Sequence, residues 1–317
     1  MYKIIFRMLC VMVIFPVLIL AKEPITNEAP LIPMKDFFKN PERTSYSLSP
    51  DGNNIAILIP WESRLNVHIQ EIGSSDVTRI TSAKERDIAG YFWANNNRIV
   101  YVQDTGGDEN FRLYAVDIDG KNQVDLTPFE KVTVQVIDDL PENENEMIIG
   151  LNKRDARIFD VYRININTGD MQMIAENPGN ITGWVTDHDG KLRVAVTTDG
   201  VNTSLLYRKT EQDEFKSVIT TSFKETLAPL MFTYDNKFLY VASNIGRDKS
   251  AIAIYDVENN KEVNEIYSHP EVDVSNLISS DKRKIITGVS FTTAKRSYHF
   301  FDDERKKLQA ELEAKLP

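Results

Sequence analysis

Clusters of Asp, Asn and Gly recur along the chain, and each is followed by a short apolar run. Residues 49–52 form such a turn signal before the apolar residues 55–59, and residues 187–190 form another before residues 192–196. The central residues of these turns are spaced by 44, 48, 46, 46 and 46 positions; they are Asp51, Asn95, Asn143, Asp189, Asp235 and Asp281. A period this regular indicates a repeated supersecondary unit.

Within each repeat, residues that favour strands alternate with residues that favour tight turns. The second repeat is the clearest: residues 98–104 and 111–118 are predicted strands, and residues 124–127 form an edge strand. The connecting residues 106–110 and 119–121 contain Gly, Asp and Asn, which accept the positive φ values of hairpin turns. The β-branched and aromatic residues of the runs suit a pleated, buried surface.

Four antiparallel strands in a repeat of about 46 residues are typical of a β-propeller blade. Each blade buries its apolar faces against its neighbours, so the blades share a continuous core. We therefore predict an all-β fold, a β-propeller over residues 44–301 with about six four-stranded antiparallel blades. The predicted blades cover residues 44–84, 86–130, 132–178, 180–222, 224–270 and 272–301.

The two ends of the chain have different patterns. Residues 1–21 combine the basic Lys3 and Arg7 with an apolar run over residues 8–20, which is shorter than the roughly 20 residues of a membrane span. We interpret them as a signal peptide for export to the periplasm or secretion, with an uncleaved anchor as the alternative. Residues 22–43 form a lead-in segment. Residues 302–317 are predicted to be a C-terminal helix, which either packs across the propeller rim or docks a partner through Leu308, Leu312 and Leu316.

Charge and composition narrow the choice of ligands. The formal net charge of −10 disfavours a nucleic-acid partner, because the phosphate backbone would be repelled. The single cysteine, Cys10, lies in the predicted signal peptide, so the mature chain has no disulfide. The four histidines lack the spacing of metal ligands, and residues 117–120 and 187–190 suit hairpin turns better than calcium loops. The sequence therefore predicts no metal site and no cofactor.

Several motifs resemble those of one bacterial peptidase family. They are residues 33–38 (PMKDFF), 48–52 (LSPDG), 91–93 (YFW), 107–114 (GDENFRLY) and 125–129 (DLTPF). From about residue 30 to its end, the chain resembles the N-terminal β-propeller of secreted prolyl oligopeptidase-family serine peptidases, in the dipeptidyl-peptidase and acylaminoacyl-peptidase branch. This resemblance implies a propeller that caps an α/β-hydrolase domain carrying a Ser-Asp-His triad. Family propellers usually have seven or eight blades, so six blades suggest a ring that is left open, with closure into a six-bladed ring as the alternative.

The catalytic part of such a peptidase is not recognisable in this sequence. A nucleophile elbow has the pattern Gly-x-Ser-x-Gly at a strand-to-helix turn. The nearest match, residues 288–292 (GVSFT), lacks the second glycine and has the pattern of a strand. We therefore expect no catalytic residues in this chain, and we expect the C-terminal hydrolase domain to be lacking.

A candidate peptide-binding site lies on the predicted hairpin of the second blade. Asp108 and Glu109 are adjacent at its tip, and Arg112 follows closely. In peptidases of this family, propeller acids can hold the free amine of a substrate, and such charge-assisted pairs are strong where water is excluded. The alternative is a solvated loop in which Arg112 braces a neighbouring blade. The tryptophans Trp61, Trp93 and Trp184 are expected to pack between blades.

These observations predict an exported propeller that gates or binds peptides. Its expected partners are peptides or a separate hydrolase chain, with no nucleic acid and no integral membrane span after signal cleavage. An open seam between the first and last blades would expose apolar faces and favour a homodimer. Two alternatives remain: a stand-alone periplasmic interaction propeller of the Tol type, and an enzyme active within the propeller, as in some lyases and lactonases. The lack of clustered histidines disfavours the second.

Overall fold

The structure is a computed structural model and describes residues 31–316 of the chain. The predicted signal peptide and the first part of the predicted lead-in segment lie outside these residues. Residues 31–39 belong to a unit separate from the rest of the chain, and they contain the short helix α1 (Met34–Phe37). The second unit begins at Asn40 and contains all the strands that the structure describes. Within residues 31–316, no helix is long and apolar enough to cross a membrane.

The second unit contains six antiparallel sheets whose strands follow one another in chain order. The first three sheets consist of β1 (Thr44–Leu48), β2 (Asn54–Trp61), β3 (Arg64–Glu71) and β4 (Val77–Arg79); β5 (Gly90–Asn95), β6 (Arg98–Gln103), β7 (Arg112–Asp117) and β8 (Val124–Asp125); and β9 (Val134–Asp138), β10 (Glu146–Asp155), β11 (Ile158–Asn165) and β12 (Met171–Ala175).

The last three sheets consist of β13 (Ile181–Thr186), β14 (Leu192–Thr198), β15 (Thr203–Tyr207) and β16 (Lys216–Thr221); β17 (Leu227–Phe232), β18 (Leu239–Ser243), β19 (Ala251–Asp256) and β20 (Lys261–Tyr267); and β21 (Val274–Ser280), β22 (Ile285–Thr292) and β23 (Arg296–Phe300). The predicted β-propeller of six blades is thus confirmed, with five four-stranded blades and one three-stranded blade.

Turn chemistry sets the register of the hairpins. Between β2 and β3 the turn has only two residues, Glu62 and Ser63, and Trp61 pairs with Arg64 across it. Both turn residues have positive φ, 48° and 69°, as the right-handed twist of the flanking strands requires in a two-residue hairpin. The turn between β1 and β2 instead uses Gly52, with φ of 77°.

The core is divided among the contacts between consecutive blades. Five clusters of buried apolar residues each join one sheet to the next. The cluster between the second and third sheets, for example, includes Leu113, Leu126, Met147 and Ile149, all almost fully buried. In the described part of the chain, no such cluster joins the sixth sheet to the first. Each blade is therefore stabilised by its neighbours in sequence.

The sixth blade differs from the predicted four strands because the chain leaves the sheet after β23. Asp302 then accepts a hydrogen bond from the backbone nitrogen of Arg305 and caps helix α2 (Asp303–Lys315). Leu308 and Leu312 remain roughly half exposed, and α2 buries none of its residues. The prediction that the leucine stripe packs across the propeller rim is therefore wrong.

Candidate functional site

A cavity of about 610 Å³ lies at the end of the propeller where the first and second strands of each sheet are joined. We call it the axial cavity, because the first strands of neighbouring sheets contact one another and so lie closest to the propeller axis. Its walls are the ends of β9, β13 and β17 with the turns that follow them, and the turn after β21. The lining residues are residues 137–143, Arg163, residues 184–190, residues 230–232, Tyr234, Asn236, Asp281 and Lys284.

Hydrogen bonds between consecutive turns hold the cavity rim together. The backbone nitrogen of His188 donates to Asn236 Oδ1 at 2.9 Å, and Asn236 Nδ2 donates to Asp189 at 3.0 Å. The hydroxyl of Tyr234 donates at 2.9 Å to Asp281, which lies in the turn after β21 of the sixth sheet. These contacts join the fourth, fifth and sixth blades at one end, so the rim is a connected polar network rather than a set of independent loops.

One ion pair spans the cavity between blades that are not neighbours in the chain. Lys284, in the turn of the sixth sheet, lies 3.5 Å from Glu142 in the long turn of the third sheet. Both side chains are well exposed, so the pair contributes little to stability. The pair matters for the geometry of the site, because it shows that the sixth blade lies opposite the third across the cavity mouth.

The acidic groups of the rim have different environments. Asp138 accepts hydrogen bonds from the Thr186 hydroxyl and from the backbone nitrogen of Leu140. Desolvation, followed by the negative charges of Asp138 and Asp281, raises the pKa of Asp139, an exposed residue of the cavity lining. Burial, with the hydrogen bond to Asp281, raises the pKa of Tyr234 to about 12, so this hydroxyl keeps its proton at neutral pH.

Aromatic and apolar side chains of the strands also line the cavity. Trp184 lies in β13 and packs against Phe215, with ring centroids 5.8 Å apart. The Arg193 guanidinium lies 4.8 Å from the centroid of the Phe232 ring and donates to Asp187 at 3.3 Å. The cavity therefore combines an acidic rim with an apolar wall, the combination of properties expected of a ligand pocket.

The predicted peptide-binding residues lie elsewhere in the propeller. Asp108 and Glu109 are exposed in the hairpin between β6 and β7, and both Asp108 oxygens accept hydrogen bonds from Asn110. Hydrogen bonds from Asn110 hold the pKa of Asp108 below its usual value. Arg112 lies 3.7 Å from Asp125 of the same sheet. This hairpin is at the opposite end of its sheet from the β5–β6 turn, so it points away from the axial cavity, and a peptide-binding role for its three charged residues stays a prediction.

The tryptophans have three different environments. Trp93 is buried between the first two sheets, and its indole nitrogen donates to the Ser47 carbonyl at 3.2 Å, as expected for packing between blades. The Trp61 ring instead lies beneath the Arg79 guanidinium at 3.7 Å. Trp184 packs beside the cluster between the third and fourth blades and also lines the cavity. Inter-blade packing alone is thus an incomplete description of Trp184.

The axial cavity was not predicted from the sequence, although the sequence contains a signal for it. The regularly spaced turn residues Asn143, Asp189 and Asp281 all line the cavity. In a propeller, equivalent positions of successive blades lie around one axis. The turns that marked the repeat therefore had to meet at one end of the molecule.

Two curated proteins have sequences similar to this chain. Dipeptidyl aminopeptidase BIII of Pseudoxanthomonas mexicana is 33% identical over 243 residues, which is 73% of this chain and 34% of that protein. Dipeptidyl peptidase family member 6 of Caenorhabditis elegans is 24% identical over 299 residues, which is 88% of this chain and 40% of that protein. The chain thus spans a little more than a third of the length of the curated relatives it matches. No family model matches it.

Solved structures of peptidases share the fold. Prolyl oligopeptidase B from Galerina marginata superposes with a TM-score of 0.57 at 10% identity, over 82% of this chain and 42% of that one. At this level of identity the likeness concerns the fold. Over most of its length, the chain is a homologue of dipeptidyl aminopeptidases, and its fold is that of the propeller region of prolyl oligopeptidase-family peptidases.

Proposed function

We propose that this chain is the peptide-binding and peptide-gating propeller of a prolyl oligopeptidase-type serine peptidase that acts outside the cytoplasm. In such an enzyme the propeller would admit short, extended chains to the catalytic domain and exclude folded proteins. The bond cleavage itself would be acyl transfer by the hydrolase part.

The axial cavity is the observation that carries this proposal. Its volume of about 610 Å³ lies within the usual range of small-ligand pockets, and it is lined by both polar and aromatic groups. The first strands β9, β13 and β17 supply its walls, so the site is built on regular sheets with a well-packed core behind them. The homology to dipeptidyl aminopeptidases supports a peptide as the ligand.

Calorimetric titration of the full chain with short peptide amides, each with a free and with an acetylated amino terminus, tests the proposal. We expect saturable binding, together with a change in the fluorescence of Trp184, which lines the cavity. A Trp184→Phe variant should lose the fluorescence change and keep most of the calorimetric signal. Absence of binding for every peptide tried, in a protein that unfolds cooperatively, would refute the proposal.

A matched pair of substitutions locates the binding site. Met231 lines the cavity, and a Met231→Trp substitution fills part of it, so peptide affinity should fall at least tenfold. Met173 lies in the outer strand β12 with 43% of its surface exposed, and Met173→Trp serves as the control. Urea unfolding of both variants checks that the fold is kept. Equal peptide affinity in the two variants would place the binding site elsewhere.

A further inference from the structure

Among the described residues, the sixth blade has no strand beyond β23. In each of the first five sheets the third strand pairs with a fourth, and each of these third strands contains at least one buried residue. Strand β23 is the third strand of the sixth sheet and pairs only with β22. None of its five residues is buried, and Tyr298 is 40% exposed. The sixth sheet therefore ends at an uncovered edge.

The backbone groups at this edge point away from the sheet. The backbone nitrogen of Phe301 donates to the Thr287 carbonyl at 2.9 Å, so at this position the chain faces β22. The direction of the backbone groups alternates along an antiparallel strand, so those of Arg296, Tyr298 and Phe300 face outward. Within residues 31–316, no strand pairs with this side of β23. Such a row of N–H and C=O groups is a template on which another extended segment can pair.

The charges beside the edge make the strand complementary to itself. Lys295 and Arg296 lie where β23 begins, and two acids, Asp302 and Asp303, follow its end. Arg283 already pairs with Asp302 at 2.8 Å. Lys295, Arg296 and Asp303, however, form no salt bridge within the part of the chain that the structure describes. An antiparallel second copy of β23 brings the basic end of each strand beside the acidic end of the other, whereas a parallel copy would place like charges together.

Aromatic side chains of β23 fit the same antiparallel arrangement. Tyr298 and Phe300 are stacked, with ring centroids 5.7 Å apart. Phe291 of β22 packs against the fifth blade and pairs with Ser297, so Tyr298 and Phe300 lie on the face turned away from that blade. A two-fold axis through His299 places each Tyr298 opposite Phe300 of the other copy. Aromatic pairs in such positions stabilise neighbouring antiparallel strands.

We propose that two copies of this chain associate by antiparallel pairing of their β23 strands, which joins the two sixth blades into one continuous sheet. The interface is symmetric, since each copy offers the same strand edge. It is separate from the axial cavity and does not depend on peptide binding. A strand edge of five residues buries less surface than a permanent dimer needs, so we expect a reversible dimer with a dissociation constant in the micromolar range.

Sedimentation velocity of the full chain over a range of concentrations tests the proposal, and we expect a reversible equilibrium between monomer and dimer. Tyr298→Pro removes an outward-facing N–H and no bond to β22, which is a position where edge strands tolerate proline, so this variant should stay monomeric. Urea unfolding checks that the variant keeps its fold. A wild-type chain that stays monomeric at every concentration, or a folded Tyr298→Pro variant that dimerises as well as the wild type, would overturn the proposal.

An exchange of charges tests the antiparallel orientation. In the proposed register Lys295 lies beside Asp303 of the second copy, and this contact occurs twice, so Lys295→Glu should raise the dissociation constant about tenfold. Adding Asp303→Lys restores opposite charges and should recover most of the affinity. Lys216→Glu makes the same change at the start of the edge strand β16 and should leave the dimer unchanged. Equal effects of Lys295→Glu and Lys216→Glu, or no recovery in the double variant, would show that β23 does not form the interface.

Discussion

Replacing Arg193 tests whether the cavity wall is held by a buried charged network. Its guanidinium bonds Asp187, the Asn236 carbonyl and the Tyr207 hydroxyl, and only 12% of the side chain is exposed. Breaking a buried ion pair costs about 3–5 kcal/mol when the remaining charge is left alone. Asp187 would keep two backbone donors, from Asp189 and Lys191, so we expect Arg193→Met to lower the free energy of unfolding by about 2–4 kcal/mol.

Urea unfolding followed by circular dichroism at pH 7 measures this loss. Arg157, which is 84% exposed and pairs with Asp155 in a hairpin, provides the control: Arg157→Met should leave the midpoint unchanged within error. Arg193→Lys should recover less than half of the loss, because a single ammonium cannot reach all three acceptors. If Arg193→Met behaves like the control, the network does not stabilise the contact between the fourth and fifth blades.

Three further predictions concern other parts of the chain. Gly288→Ala should lower the free energy of unfolding by about 1–3 kcal/mol, because the new Cβ would lie 2.5 Å from the His299 carbonyl oxygen. Gly90 has open space around it, so Gly90→Ala should leave the stability nearly unchanged. Equal effects of the two substitutions on the urea midpoint would contradict this prediction. Burial alone would raise the pKa of Asp160, but its hydrogen bonds with Arg154 hold it below 3.8. The stability advantage of the wild type over Asp160→Asn should therefore be complete above that pH and disappear as the pH falls through the folded-state pKa, as acid titration of the urea midpoint can show. The purified chain should not hydrolyse chromogenic dipeptide substrates, and hydrolysis that survives removal of contaminating proteases would refute this.

The repeat made most of the fold predictable. A period near 46 residues predicts the strands, the turns between them and the order in which the strands pair. In the second blade, the predicted strands over residues 98–104 and 111–118 match β6 and β7 within a residue at each end. The prediction failed where the repeat ends. After β23 the capping Asp302 begins a helix, and local sequence could not say that Leu308 and Leu312 would stay exposed, because that depends on which surfaces remain free to cover them.

The candidate site was harder to predict, because its parts are far apart in sequence. Ile137 and Lys284 both line the axial cavity, although nearly half the chain separates them. Asp108 and Glu109 were predicted to bind peptides because they are adjacent, yet Asp108 accepts hydrogen bonds from Asn110 of its own hairpin. Local clustering is a property of turns in general, and convergence on the axis becomes visible only when equivalent positions of successive repeats are compared.

The division of the core into five pairwise clusters has a consequence for how the molecule opens. Blades two to five are packed on both faces, whereas in the described part of the chain blades one and six share a cluster with a single neighbour. Amide protons of the first and sixth blades should therefore exchange with solvent first, and those of the third and fourth blades last. The propeller would then fray from its two ends inward, as a linear array does. The cavity wall that belongs to the sixth blade would loosen early, and the walls that belong to the third and fourth blades would loosen last.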